Sequence, residues 1–206
     1  MELKEWQEKI LYSQKSAWDR LPREEEPRLM AYCEDYKAFL DAGKTERACV
    51  KEAVRLAEQR GWRPYRRGMA LEAGDKVYCN NRGKMLMLAV IGKKGLEDGA
   101  QITAAHIDSP RLDLKPSPLY EEAELCYLKT HYYGGVRKYQ WVTIPLQLRG
   151  VVVKKDGETV EVVIGEEKEP KLVINDLLPH LGAEQNKKTL NDGIGGEQLN
   201  LLIGSR

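Results

Sequence analysis

The chain has 206 residues, of which 42% are hydrophobic and 32% are charged. Its 33 lysines and arginines nearly cancel its 32 aspartates and glutamates, and the formal net charge is +1. A chain of this length can bury a real core, but the balanced charge argues against nucleic-acid binding and against a polybasic membrane anchor. The longest apolar run, residues 85–91, is too short for a bilayer span, and the first residues lack a secretion signal. We therefore expect a cytoplasmic protein with no nucleic-acid or membrane partner.

The first part of the chain is predicted to be helical. Four apolar residues recur at the spacing of one helix face, namely Leu29, Cys33, Tyr36 and Leu40. Gly43 is a typical helix stop, and Thr45 is a typical N-cap for a second helix that should end near Gly61. We interpret the apolar faces of both helices as core packing.

Strand patterns begin after Gly74. Residues 76–79 and 84–91 are predicted to form a hairpin around the turn at residues 80–83. The second of these strands is so apolar that we expect it to be covered on both faces. Another short apolar strand is predicted for residues 99–105.

The rest of the chain is typical of antiparallel sheet. Residues 142–149 alternate between apolar and polar side chains, with Pro145 marking an edge or a bulge. Residues 151–155 and 160–164 flank an Asp-Gly pair and predict a further hairpin.

The four cysteines lie far apart and form no C-x-x-C pair. This spacing argues against a zinc knuckle or a redox couple. We interpret them as reduced thiols that act as small core hydrophobes in a reducing compartment. They are Cys33, Cys49, Cys79 and Cys126.

Among the three histidines, His106 is the best candidate for chemistry. It is predicted to stand at the carboxyl end of an apolar strand, where open α/β sheets place their ligands. Asp108 lies two residues further on, so in extended backbone the two side chains project to the same side. A carboxylate behind an imidazole is a common arrangement for a zinc ligand, although an H-x-D pattern taken alone is more often structural.

Several segments of the chain resemble one enzyme family. Residues 103–116, with the sequence TAAHIDSPRLDLKP, resemble the first metal-ligand segment of the aspartyl aminopeptidases, which are zinc exopeptidases. Other segments resemble the same family in the same order: Lys44-Thr45-Glu46-Arg47, Tyr132-Tyr133-Gly134-Gly135 followed by Trp141, and residues 170–174 followed by His180-Leu181.

The resemblance implies an aminopeptidase that removes N-terminal residues, often acidic ones, from peptides. It also implies that each active site of this enzyme holds two zinc ions. It implies that His106 is a terminal ligand of one zinc ion and that Asp108 is the catalytic carboxylate that orients it. His180 would bind substrate in the active site of a neighbouring subunit, or would otherwise be a structural histidine. His131 matches no functional residue of the family.

The resemblance also implies the architecture. Residues 1–116 would form part of an α/β di-zinc exopeptidase domain, and residues 117–206 an incomplete antiparallel β-rich dimerisation domain. The change from helix-and-strand to strand patterns near Pro116 agrees with this boundary. Dimers would build a larger homo-oligomer.

Most of the expected metal site is missing from the sequence. A catalytic zinc takes three protein ligands, and a two-metal peptidase also needs a bridging carboxylate and a general base. In the family these groups follow later than residue 206, so the chain resembles an N-terminal portion that should be inactive alone. The alternative hypothesis is a non-catalytic assembly module, whose exposed strand edges favour self-association.

Overall fold

The structure is a computed structural model that describes Trp6, residues 10–12 and residues 14–205. The chain divides into two compact units, one up to Gly43 and one from Lys44 onward. Helices are combined with three small sheets, in agreement with the predicted α/β class. Within the described part of the chain, no helix has both the length and the hydropathy of a bilayer-spanning segment.

The first unit contains helix α1, over Glu26–Ala42. Two short 3₁₀ turns precede it, at Trp18–Arg20 and Arg23–Glu25. Pro27 suits the first turn of α1 because the N–H groups there have no partner within the helix. The helix ends at the predicted stop, Gly43, whose N–H donates a 2.8 Å hydrogen bond to the last turn.

The apolar residues of α1 are not core residues. None of its side chains is buried; Cys33, Tyr36 and Leu40 are exposed and Leu29 is half-buried. Tyr36 instead stacks on Tyr32 at the surface, with 6.4 Å between ring centroids. The prediction of core packing is wrong for this helix, because side-chain spacing identifies a helix face without identifying what covers it.

Helix α2, over Glu46–Gln59, does carry a buried face. Thr45 is extended, and its Oγ1 accepts a 3.2 Å hydrogen bond from the N–H of Ala48, which is the predicted N-cap interaction. The helix ends just before the predicted stop at Gly61. The residues that it buries are Cys49, Val50 and Ala57.

The four cysteines form no disulfide bonds with one another. Cys49 is buried, and this burial raises the pKa of its thiol, as expected for a small core hydrophobe. Cys126 is half-buried. Cys33 and Cys79 are exposed, so the core interpretation is wrong for these two.

The first sheet has the order β1-β2-β3, with β1 at Arg63–Pro64, β2 at Lys76–Asn81 and β3 at Met85–Val90. β1 is parallel to β2, and β2 is antiparallel to β3. Arg82 and Gly83 have positive φ angles of 58° and 67° in the connecting turn. Tight hairpin turns favour such positive angles, and the predicted hairpin is confirmed.

Strand β3 is not covered on both faces, contrary to the prediction from its apolar sequence. Among the described strands β3 pairs only with β2, so it lies at a sheet edge. An apolar run shows that a strand needs cover, but the covering element is not encoded in the run itself. The exposed side chains are Met85, Met87, Leu88 and Val90.

The strand predicted for residues 99–105 does not form. This segment follows the 3₁₀ turn Leu96–Asp98 and joins none of the described ladders. Its most apolar side chain, Ile102, is 83% exposed. A strand needs a neighbouring backbone to satisfy its N–H and C=O groups. Because none pairs with it, His106 lies in irregular backbone rather than at the carboxyl end of a strand, and that prediction is wrong.

The second sheet has the order β4-β5-β8 and is antiparallel throughout. β4 covers Arg111–Glu122, β5 covers Leu125–Tyr133 and β8 covers Leu201–Ser205. β4 and β5 form a long hairpin, in which residues near the start of β4 pair with residues near the end of β5. This pairing positions the candidate site.

The domain boundary predicted near Pro116 falls inside β4. The register of β4 against β5 shifts between Leu114 and Leu119, as expected around a proline that cannot donate to the ladder. Pairing resumes on both sides of the shift. The assignment of residues 1–116 and 117–206 to separate domains remains a prediction.

The third sheet is the predicted hairpin of β6, Leu148–Val153, and β7, Thr159–Ile164. The longer strand predicted for residues 142–149 is mostly absent. Thr143 has a φ of 63°, which breaks the extended backbone. In place of a ladder, Leu146 forms an isolated antiparallel bridge with Leu172.

The main core lies between the second sheet and the loops around it. Leu112 of β4 and Leu128 of β5 pack against this core from the sheet side. The buried Thr130 hydroxyl donates to the carbonyl oxygen of Leu199, which ties the loop before β8 to β5. The core residues are Val142, Leu172, Ile174, Ile194, Leu199 and Leu201.

Removal of the N-cap should destabilise α2. We expect Thr45→Ala to lower the free energy of unfolding by about 1 kcal/mol, because the N–H of Ala48 loses its acceptor. Urea denaturation measures the change. Thr45→Ser retains a hydroxyl and should stay close to the original stability. An equal loss in both variants would contradict the capping role.

A carboxylate at the start of β2 should make stability depend on pH. Asp75 Oδ2 accepts hydrogen bonds from the N–H of Glu72 at 2.9 Å and from Arg63 Nη2 at 3.0 Å. The Glu72 bond is the main cause that lowers the pKa of Asp75. The lowered pKa means that this carboxylate stabilises the fold above the unfolded-state pKa of about 3.9 and stops doing so as pH falls through the folded-state pKa.

We expect Asp75→Asn to be less stable than the original chain at neutral pH, and the gap to close as the solution is acidified. Urea midpoints measured from about pH 7 down to about pH 3 test this. Asp98→Asn, a change at an exposed aspartate, is the control and should shift no midpoint. A gap that stays constant with pH would contradict the prediction.

Candidate metal-ligand site

His106 presents an open imidazole on the irregular segment before β4. Its side chain is 84% exposed. Nδ1 lies 3.1 Å from Asp108 Oδ1 and 3.0 Å from the Asp108 carbonyl oxygen. The prediction that the two side chains lie together is therefore confirmed, even though the backbone is not part of a strand.

The partners of Nδ1 determine which nitrogen of His106 can bind a metal. A carboxylate oxygen and a carbonyl oxygen are both acceptors, so Nδ1 must carry the proton. In the neutral ring this leaves the lone pair on Nε2, the nitrogen without a hydrogen bond among the described residues. An imidazole whose other nitrogen donates to a carboxylate is the usual form of a zinc-binding histidine.

Asp108 is held from its other side by Tyr133. The hydroxyl of Tyr133 donates to Asp108 Oδ2 at 2.7 Å. This bond is the main cause that lowers the pKa of Asp108, and the same bond raises the pKa of Tyr133. Asp108 is thus kept ionised, with one oxygen for the tyrosine and one for the histidine.

The β4–β5 hairpin places Tyr133. Tyr133 is directly opposite Arg111 in the ladder, so their side chains share a face. The Arg111 guanidinium lies 4.1 Å from the centroid of the Tyr133 ring, and its Nε donates to Asp113 Oδ1 at 2.8 Å. A guanidinium cation is attracted to the face of an aromatic ring, so the contact with Arg111 fixes the plane of the Tyr133 ring.

The turn after β5 brings the hairpin against the His106 segment. Gly134 has a φ of 78°, and a Cβ built on it would lie 3.4 Å from the Cα of Pro110. Glycine adopts this positive φ without strain, and the contact with Pro110 is an ordinary van der Waals contact. Residues 108–110 therefore rest against the end of β5.

The donor set fits one corner of a zinc site. Among the described residues, no group of three or more His, Cys, Asp or Glu side chains could hold a metal ion together. His106 supplies one suitable nitrogen, and Asp108 supports that nitrogen from behind. Further ligands are needed for the three protein ligands that a catalytic zinc takes.

The other two histidines lie elsewhere. His180 is exposed in a turn beside a cleft of about 530 Å³ that Pro179 and Gly182 help to line. No described hydrogen bond or ion pair connects it with His106 or Asp108. His131 is exposed on β5 and stacks with Tyr132. The substrate-binding role of His180 remains a prediction.

Tyr133 and Arg111 belong to the site, but no sequence pattern predicted their roles. Both lie in segments that carried the family resemblance, but neither was recognised as part of the site. The signal that could have found them is the alternation along β4 and β5, which puts Arg111 and Asp113 on one face. The register that sets Tyr133 opposite Arg111 follows only from the pairing of the strands.

A second cleft, of about 550 Å³, borders the start of β4. Residues 44–47, which precede and begin α2, line it together with residues 109–114 and 146–151. The Lys-Thr-Glu-Arg segment that carried part of the family resemblance therefore lies across from β4.

Comparison with known proteins identifies the family. A family model described as aminopeptidase I zinc metalloprotease (M18) matches residues 39–204. The probable M18 family aminopeptidase 1 of Clostridium acetobutylicum is 48% identical over 201 residues, which are 95% of this chain and 43% of that protein.

Solved structures agree with this match. The crystal structure of the M18 aminopeptidase from Thermotoga maritima superimposes with a TM-score of 0.85 at 37% identity, over 95% of this chain and 42% of that one. Aminopeptidase I from Clostridium acetobutylicum gives a TM-score of 0.81 at 44% identity, over 95% of this chain and 44% of that one.

The chain thus spans less than half the length of these relatives. The combination of α/β elements and antiparallel sheets is that of M18 structures, and the family resemblance found in the sequence is confirmed. Because the family model matches most of its residues, the chain belongs to the M18 family of aminopeptidase I zinc metalloproteases.

Proposed function

We propose that this chain is part of a zinc-dependent aminopeptidase that hydrolyses N-terminal residues from peptides, and that His106 is one of the zinc ligands. The observation that carries the proposal is the geometry of the imidazole, whose Nδ1 is bound to Asp108 while Nε2 faces outward on an 84% exposed side chain. Membership of a zinc metalloprotease family supports the choice of metal.

Zinc in such a site polarises a carbonyl group and lowers the pKa of a bound water molecule. In this proposal, Nε2 of His106 binds the metal. Asp108 orients the imidazole through its hydrogen bond with Nδ1, and the Tyr133 hydroxyl orients the Asp108 carboxylate. Since the described residues supply only one ligand of this kind, we expect no turnover from the 206-residue chain by itself.

The finer parts of the proposal come from the family resemblance. They are two zinc ions in each active site, a preference for acidic N-terminal residues, a cytoplasmic location, and a substrate contact by His180 across a subunit boundary. The surface around His180 supports the last of these. His180 is exposed between Leu178 and Leu181, which are 66% and 70% exposed, and exposed apolar clusters often mark protein contacts.

The same surface favours a second candidate, an assembly module that acts by self-association without catalysis. Exposed apolar side chains are found both on this loop and along the edge strand β3. Purified 206-residue chain that self-associates but holds no zinc and hydrolyses no peptide would support this reading of the chain taken alone. Such a result would not alter the assignment of the chain to the M18 family.

A chimera tests the catalytic proposal. We would join this chain to the part of the Clostridium acetobutylicum M18 aminopeptidase 1 that it does not match. The chimera should release N-terminal amino acids from peptides, and His106→Ala should abolish that activity and lower the zinc content, because the metal loses a ligand.

His131→Ala is the matched control, since it removes an exposed histidine that takes no part in the site. It should keep both activity and zinc. If His106→Ala retains full turnover and normal zinc in an active chimera, the proposal is wrong.

Self-association should depend on the loop that carries His180. We expect Leu181→Lys to shift the chain towards smaller species in sedimentation velocity experiments, because a charge would have to be buried in the contact. Leu96→Lys changes another exposed leucine and should leave the distribution as it was. Identical behaviour of the two variants would exclude this loop as the contact.

A further inference from the structure

We infer that Tyr133 is a positioning residue of the candidate zinc site, and that its hydrogen bond to Asp108 selects the tautomer of His106 that leaves Nε2 free for a metal. The inference rests on the proposed function only for the role of His106 as a ligand. The tautomer itself is a property of this chain and can be measured without metal or substrate.

The two oxygens of the Asp108 carboxylate have different hydrogen-bond partners. Its Oδ2 accepts the Tyr133 hydroxyl at 2.7 Å, and its Oδ1 faces His106 Nδ1 at 3.1 Å. With Oδ2 fixed by the tyrosine, rotation of the carboxylate is restricted and Oδ1 is kept towards the ring. An ionised carboxylate can only accept hydrogen bonds, so the Tyr133 hydroxyl is the donor in this bond.

The acceptors around Nδ1 set the tautomer of the His106 imidazole. Nδ1 faces Oδ1 and, at 3.0 Å, the carbonyl oxygen of Asp108. Two acceptors at this distance repel a lone pair and attract an N–H. The neutral ring is therefore protonated at Nδ1. If the Asp108 carboxylate turned away, only the carbonyl oxygen would favour this tautomer and the preference would weaken.

Tyr133 gives the segment that carries His106 and Asp108 a connection to a sheet. Residues 99–110 pair with no described strand, so His106 and Asp108 lack the support that a sheet gives to a ligand. Tyr133 is the last residue of β5, within a ladder, and its ring is held by Arg111 at 4.1 Å. It is the described side chain that joins the Asp108 carboxylate to the second sheet.

Arg111 is in turn fixed by Asp113, two residues along β4. The arrangement thus runs from a sheet through Tyr133 to Asp108 and on to His106. Outer partners of this kind orient metal ligands, and their loss typically weakens metal binding by about 10-fold to 100-fold.

Tyr133→Phe tests the inference in the 206-residue chain. The variant removes one oxygen and keeps the ring on which Arg111 rests, so the fold should survive, as circular dichroism can verify. Long-range ¹H–¹⁵N spectra at about pH 8.5, above the ordinary histidine pKa of about 6.5, report the tautomers of neutral histidines. The variants His131→Gln and His180→Gln assign the His106 signals.

In the original chain we expect His106 to be mainly the Nδ1–H tautomer. Tyr133→Phe should raise the ratio of the Nε2–H form about fivefold, the size expected for the loss of one net hydrogen bond. Tyr132→Phe, which removes a hydroxyl from the neighbouring ring, should leave the ratio unchanged. An unchanged ratio in Tyr133→Phe would overturn the inference.

A double-mutant cycle shows whether Tyr133 acts through Asp108. Asp108→Asn should itself shift the tautomer ratio, and adding Tyr133→Phe to it should cause little further change. An undiminished effect of Tyr133→Phe in the Asp108→Asn background would contradict the proposed route.

The two proposals can fail separately. An inactive chimera together with the expected tautomer shift would reject the aminopeptidase function and keep the positioning role. An active, zinc-loaded chimera together with an unchanged tautomer ratio in Tyr133→Phe would reject the positioning role alone.

Discussion

The candidate site depends on one carboxylate, that of Asp108, which binds a tyrosine with one oxygen and a histidine with the other. Each contact has a different origin. His106 is reached locally, two residues away in the chain, whereas Tyr133, 25 residues from Asp108, is brought by the β4–β5 hairpin. The carboxylate therefore connects an unsupported segment to a sheet, and the imidazole takes its orientation and its tautomer from that connection.

The position of His106 before β4, outside every described ladder, gives the surrounding contacts more importance than they would have in a regular strand. The close approach of Gly134 to Pro110 and the Arg111–Tyr133 contact together hold the segment from one side. This arrangement leaves Nε2 of His106 without a partner among the described residues. The chain spans less than half the length of its M18 relatives, and its described residues supply no complete metal site.

The distribution of apolar surface follows a similar logic. The core around Leu199 is well buried, but β3 and the loop next to His180 expose side chains of the kind that proteins normally cover. The proposed subunit contact includes the histidine that the family resemblance places in a neighbouring active site.

The sequence by itself determined the features that depend on neighbours in the chain. The cap at Thr45, the stop at Gly43 and the turn at Arg82 and Gly83 are local interactions, and all were predicted correctly. The segment around His106, together with three further segments in the same order, resembled one family, and the family match confirms that resemblance.

Only the tertiary structure decided which segments found partners. Among the described residues, segment 99–105 has the composition of a strand but joins no ladder, and α1 has an apolar stripe but buries none of it. Tyr133 gained its role from a register that its own sequence does not encode. The reason is physical: burial and strand pairing are satisfied by groups distant in the chain, so a local pattern states a requirement and the fold decides whether that requirement is met.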